Sequence, residues 1–134
     1  MGEASDTKSL ANLFTKGSHH RNVTILYLVQ NMFDQGKSSR TVSLNSHYTI
    51  AFRNLKVKSQ FRTMAAQMLP NNSQWLMDAY ADATAKPYGY LVIDNYPHCD
   101  PVFRFRTNIF PGDLPTVYCD RQTLKNKPRS PSPN

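Results

Sequence analysis

The stretch that decides the fold is Val23–Asn45, VTILYLVQNMFDQGKSSRTVSLN, in which an unbroken apolar run stops at Gln30-Asn31 and gives way to a polar, basic loop. Val23, Ile25, Leu26, Tyr27, Leu28 and Val29 are mostly β-branched or aromatic, and the run is too short for a free-standing helix. That pattern predicts a strand buried on both faces, as in parallel sheets. Ligands of open parallel sheets bind at the carboxyl ends of the strands, so the sequence places a site just past Val29.

The same stretch carries Gly36-Lys37-Ser38, the ending of a phosphate-cradling loop whose glycines let backbone N–H groups wrap an anion. Asn31 stands where the first glycine belongs, and Met32 and Phe33 occupy the loop. Strand-like residues return by Tyr48–Phe52, which leaves no room for the long helix whose N-terminus faces the phosphate. The triplet reads as a surface loop.

Upstream, Ser5 or Asp6 is placed to cap a helix running to Lys16, with Leu10, Leu13 and Phe14 on one stripe and Gly17 as its stop. Gly17–Asn22 is a polar connector into the apolar run. Downstream, Val42–Ser46 reads as a short turn and Tyr48–Phe52 as a second, mostly apolar strand next to the first. Lys58–Leu69 predicts a helix with Phe61, Met64, Ala65 and Met68 inward, stopped by Pro70. Ser73 is placed to cap another helix from Gln74 to about Thr84, burying Trp75, Leu76, Ala79 and Tyr80. Tyr88–Asp94 is a third strand, and Val102–Arg106 alternates apolar with cationic residues, the period of a half-exposed strand. The pair predicts an antiparallel hairpin at a sheet edge. From Pro111 onward, proline, polarity and charge predict a disordered tail.

The chain has 134 residues, 40% of them hydrophobic, enough for one domain or part of one with a real core. Its formal charge is +7; Arg121, Lys125, Lys127 and Arg129 supply four of those charges with no acid after Asp120. Two cysteines, Cys99 and Cys119, without C-x-x-C spacing and without an opening apolar segment, predict an intracellular protein of nucleus or cytoplasm, neither secreted nor membrane-bound. The adjacent His19-His20, with His47, His98 and the cysteines, lacks metal-ligand spacing, so no metal site is expected.

The order Gly17-Ser18-His19-His20-Arg21-Asn22, an apolar strand ending Leu28-Val29-Gln30-Asn31, and then Ser39–Asn54, SRTVSLNSHYTIAFRN, resembles the C-terminal half of FtsK/HerA-type genome-packaging ATPases of large DNA viruses and Polinton transposons. Lys86–Tyr90 and Arg106–Pro111 extend the resemblance over about Leu10–Asp113. It implies an α/β class, a partial P-loop NTPase fold of buried parallel-type strands with flanking helices and a C-terminal antiparallel hairpin. By position and context, Gln30 matches the sensor glutamine that orients water or reads the γ-phosphate in that family. Arg21 is the candidate arginine finger, with Arg40 and Arg62 as rivals. Intact relatives use ATP and Mg²⁺ and work as oligomeric rings on DNA. This sequence carries neither a complete phosphate loop nor an acidic Walker B strand, so no cofactor is expected for the chain alone.

The sequence therefore divides into residues 1–113, the C-terminal portion of a packaging-ATPase-like domain, and a basic tail, 114–134. Its predicted role is a catalytically incomplete piece of a DNA-translocating motor. Two alternatives stand beside it. One is a non-enzymatic DNA-binding module using Arg53, Lys56, Lys58, Arg104 and Arg106, where cations interleave with aromatic residues; the other is a non-functional remnant of an integrated element.

Overall fold

A computed structural model describes residues 9, 11–17, 23–31, 42, 44–56 and 58–126. The chain divides into two compact units, Met1–His47 and Tyr48–Asn134.

In the first unit the expected N-terminal helix is present as helical residues Ser9, Ala11 and Asn12 followed by a π-helical turn, Leu13–Gly17. Thr15 helps to hold this turn by donating its hydroxyl to the Ala11 carbonyl at 2.9 Å. The Phe14 and Tyr27 rings meet edge to face at 6.1 Å. Val23–Val29 forms no strand, and this corrects the expectation on which the parallel fold rested. Leu26 and Leu28 are 84% and 91% exposed. An apolar run has strand-forming side chains, but a strand exists only when its backbone finds ladder partners. Among the described residues, four strands pair with one another between Tyr48 and Tyr118.

The second unit holds strand β1 (Tyr48–Phe52), helix α1 (Lys58–Met68), helix α2 (Ser73–Ala83), strand β2 (Tyr90–Asp94), a 3-10 turn (Pro101–Phe103), strand β3 (Phe105–Thr107), strand β4 (Thr116–Tyr118) and helix α3 (Arg121–Asn126). The strands lie in the order β1-β2-β3-β4 and every pairing is antiparallel. Parallel-type strands were expected, and the connection explains the difference. A single crossover helix returns the chain to a parallel strand, whereas two helices joined by the turn Leu69–Asn72 reverse it once more. The resulting architecture is mixed α and β, with a four-stranded antiparallel sheet.

The core lies on one face of that sheet. Ala51 of β1, Leu91 and Ile93 of β2 and Phe105 of β3 meet Phe61 and Ala65 of α1 and Leu76, Met77, Tyr80 and Ala83 of α2. Leu76, Leu91 and Ile93 are fully buried, each contributing about 2 kcal/mol of apolar transfer. Helix α2 forms because Leu76, Met77, Ala79, Tyr80 and Ala83 recur at helical spacing and all face inward. It begins at Ser73 itself, after an Asn72 that makes no side-chain cap bond. The side chain of Asn72 instead donates to Asp120 Oδ2 at 3.5 Å.

The hairpin is present with a shorter second strand, since Val102 and Phe103 belong to the 3-10 turn. Asp100 caps that turn, its Oδ1 accepting from the Val102 N–H at 2.9 Å. The hairpin occupies the middle of the sheet rather than its edge, because β4 pairs with β3 at Phe105↔Tyr118, Arg106↔Val117 and Thr107↔Thr116. The tail expected to be disordered from residue 114 therefore supplies β4 and α3, and residues 127–134 lie outside the described part. Local composition at Pro111–Pro115 reads as unstructured, but a sheet edge gives Thr116–Tyr118 its hydrogen-bond partners. Tyr118 fixes the strand to α2 by donating its hydroxyl to Asp82 Oδ2 at 2.6 Å.

Candidate functional site

The turn between β1 and α1 carries a concentrated positive charge. From Gln35 to Met77 the sequence contains six lysines and arginines and no Asp or Glu. Four of them, Arg53, Lys56, Lys58 and Arg62, belong to the second unit and are exposed. Lys58 and Arg62 are one helical turn apart on α1, whose first turn holds no acid to offset its positive end.

The turn that bears these charges is tied to the core by one side chain. Tyr80 of α2 donates its hydroxyl to the Phe52 carbonyl at 2.8 Å and accepts the Asn54 N–H at 3.3 Å. Asn54 Oδ1 then accepts the Lys56 N–H at 3.0 Å. The Tyr80 ring is itself stacked on Phe61 at 3.9 Å between centroids. Basic residues are thus presented on backbone that is pinned rather than on a free loop. The sequence reading assigned Tyr80 to the core and missed this second use. No sequence signal marks it, because the partners are main-chain atoms more than 25 residues away.

Arg104 and Arg106, expected to act with that basic face, are differently placed. Arg106 Nη2 lies 3.0 Å from Asp94 Oδ2, with the Asp94 side chain only 10% exposed. Its Nε is buried without a hydrogen-bond partner, so the guanidinium is committed to the sheet. The Arg104 guanidinium lies over the Phe105 ring at 5.3 Å. Arg106 therefore neutralises an internal acid, and most of its charge is spent inside the fold.

The sheet face opposite the helices carries aromatic residues. Side chains alternate between faces along a strand, so with Ala51 and Leu91 in the core, Phe52 and its register partner Tyr90 stand on the other side. Their rings are 6.0 Å apart, and Tyr90 meets Phe110 edge to face at 5.7 Å. Asn108, at φ +55°, turns the chain back after β3, and the Ile109 N–H donates to the Tyr90 hydroxyl at 3.1 Å, holding Phe110 beside the sheet. Tyr48 and Ile50 share this face by the same alternation and are exposed. The signal was present as Tyr48-Thr49-Ile50-Ala51-Phe52, in which large and small side chains alternate.

The chain matches no known family model, no characterised protein and no solved structure.

A small cleft of about 50 Å³ on the helix side is lined by Trp75, Arg104, Phe105, Tyr118 and Asp120 among others. Pockets that take nucleotide-sized ligands run to roughly 300–1,000 Å³, so this one has room only for a few waters. Asp120 caps α3, its Oδ1 accepting the Thr123 N–H at 2.6 Å, and that bond holds its carboxyl below the usual range. Burial, followed by the nearby Asp94 carboxylate, raises the Cys99 thiol above its ordinary value, which keeps it protonated.

Gln30 sits at an exposed bend rather than at the end of a buried strand. Arg21, Arg40 and Gly36-Lys37-Ser38 lie outside the described residues. Among the described residues no group of three or more His, Cys, Asp or Glu side chains is placed to hold a metal. Nor is any helix among them long and apolar enough to cross a membrane.

Proposed function

We propose that the chain binds DNA through its phosphates and does so without catalysis of its own. The observation that carries this reading is the Tyr80-pinned turn presenting Arg53 and Lys56, with Lys58 and Arg62 beside it, in a stretch free of acids. Phosphate contacts supply most of the sequence-independent affinity of proteins for DNA, and each one releases condensed counterions. Fixed cations on a folded scaffold lose less entropy on binding than cations on a flexible tail.

Fluorescence anisotropy with labelled duplex DNA at several salt concentrations tests the reading. Replacing Arg53, Lys56, Lys58 and Arg62 by alanine is expected to weaken binding and to lower the slope of log K against log salt by about 0.9 for each phosphate no longer neutralised. Binding that ignores both salt and these four substitutions rejects it.

A second reading keeps the resemblance to FtsK/HerA-type ATPases, with this chain as a P-loop-fold piece whose intact form binds ATP and Mg²⁺ and assembles into rings on DNA. It is favoured by β1, which ends the sheet among the described strands while its outer face shows Tyr48, Ile50 and Phe52. A sheet with such an edge is prepared for further strands. In that reading Gln30 is the sensor and Arg21, with Arg40 or Arg62 as rivals, the finger acting in trans. Titration calorimetry with ATP and Mg²⁺ separates the two, since nucleotide binding with turnover by this chain overturns the non-catalytic reading.

A further inference from the structure

We infer that the ring row Phe52–Tyr90–Phe110 on the sheet face opposite helices α1 and α2 is a stacking platform for unpaired bases, so that the preferred ligand of the basic surface is single-stranded nucleic acid. This deepens the phosphate-binding reading and rests on it. Three observations converge. The first is geometric: rings from β1, from β2 and from the loop after β3 follow one another at 6.0 and 5.7 Å across the sheet. The second is exposure. Phe52 is 56% and Phe110 62% exposed, although both are held in place, Phe52 through its carbonyl bond from Tyr80 and Phe110 through the neighbouring Ile109–Tyr90 bond. The third is charge, for Arg53 follows Phe52 directly and Lys56 is three residues further on.

Apolar rings held in the open are disfavoured in water unless they have a partner, and a flat π-face fits a base plane. Every base has such a face, so a platform of this kind is tolerant of sequence, while adjacent cations follow the backbone. A duplex hides its base planes within the stack and offers phosphates and base edges, on which a ring cannot stack. The row thus adds affinity for a single strand and none for a duplex, and the basic turn serves both.

The backbone next to the row carries strain of the sort found at binding surfaces. Tyr88 adopts φ +60° and is 94% exposed, a conformation that bulky residues rarely take. It places a further ring in solvent at the approach to β2.

The test uses the full chain with a labelled oligodeoxythymidine of about twelve nucleotides and a duplex of equal length, both read by anisotropy. The single strand is expected to bind more tightly. Phe52→Leu and Phe110→Leu, which retain apolar bulk but remove the ring, are each expected to weaken single-strand binding about tenfold and to leave duplex binding unchanged. Thermal melting of both variants establishes that they are folded. Equal affinity for the two ligands, or single-strand binding unaffected by both substitutions, overturns the inference while leaving the phosphate reading intact. Loss of all salt-dependent binding defeats that reading instead. Sedimentation of the free chain covers the other occupant of an apolar face: dimerisation abolished by Phe52→Leu, with no change in oligonucleotide binding, assigns the face to a second copy and overturns the inference.

Discussion

Arg106 reaches diagonally across the sheet to Asp94, Nη2 to Oδ2 at 3.0 Å, and this pair sits on the face that the helices leave uncovered. Its partner carboxylate is nearly buried and Asp94 also turns the chain, its Oδ1 accepting the Tyr96 N–H at 3.0 Å. Removing the guanidinium strands a desolvated charge, which costs more than the pair itself contributes. Arg106→Ala is therefore expected to lower unfolding free energy by about 2 kcal/mol, discounted for the partial exposure of the arginine. Arg104→Ala, which removes only a ring contact, costs about 0.5 kcal/mol. Urea denaturation of both variants checks the difference. An Arg106→Ala protein as stable as the parent contradicts this account. The comparison also guards the binding tests, because weakened DNA binding by Arg106→Ala reports unfolding before it reports a weaker hold on phosphate.

Tyr80→Phe isolates the anchor of the basic turn from its charges. The ring remains stacked on Phe61, while the Phe52 carbonyl and the Asn54 N–H lose their shared hydroxyl. About 1 to 2 kcal/mol of stability should be lost. The number of cations is unchanged, so the salt slope of duplex binding stays constant while affinity falls, because the turn must now be ordered on binding. Hydrogen exchange at the Asn54 amide is expected to accelerate in the variant. An unchanged exchange rate shows that the hydroxyl does not hold the turn.

Tyr118 links β4 to Asp82 of α2, and burial, with that carboxylate adding, pushes its pKa above the ordinary tyrosine value. A group that holds its proton more tightly when folded contributes stability that is complete below the unfolded pKa, about 10 for tyrosine. As pH rises beyond that value the unfolded chain ionises first, so stability falls until the folded pKa is passed. The expected result is a decline of chemical stability from about pH 10 upward, made shallower by Tyr118→Phe. Equal alkaline slopes in the parent and the variant refute the assignment.

Helices α1 and α2 were legible because each combines a clear period with punctuation, as at Pro70 and Pro87, and strands β1 and β2 as short, mostly apolar runs. Pairing was less legible. The apolar run Val23–Val29 carries no period, and side-chain composition says nothing about whether a backbone partner exists. Leu91-Val92-Ile93 has the same composition and is a central strand, flanked on both sides by β1 and β3. Strand β3 was legible from its alternation but begins three residues later than Val102, whereas β4 spans three residues, too few for a pattern to rise above background, and follows a proline-rich turn. At the site, the basic residues could be read but their anchoring could not. The two arginines alternating with Phe103 and Phe105 were assigned to one exposed face, whereas Asp94, a dozen residues back, claims Arg106.

Gly89 offers the sharpest test of the β2 approach that sets the ring row. A Cβ there would stand 2.6 Å from the Ala83 carbonyl oxygen and 2.9 Å from that of Lys86. Both are backbone atoms at the end of α2 and in the turn after it, so neither can swing aside as a side chain does. The Lys86 carbonyl already accepts the Gly89 N–H at 3.0 Å, which fixes the close approach. Gly89→Ala is expected to cost about 2 kcal/mol, the scale of overpacking in a formed fold, and to displace Tyr90 at the start of β2. Tyr88→Gly acts in the opposite sense, relieving the left-handed backbone at the preceding residue, and should leave stability unchanged or raise it by up to about 1 kcal/mol. Melting of the two variants in parallel distinguishes lack of space from backbone strain, and Gly89→Ala as stable as the parent would mean that α2 and β2 are not packed this closely.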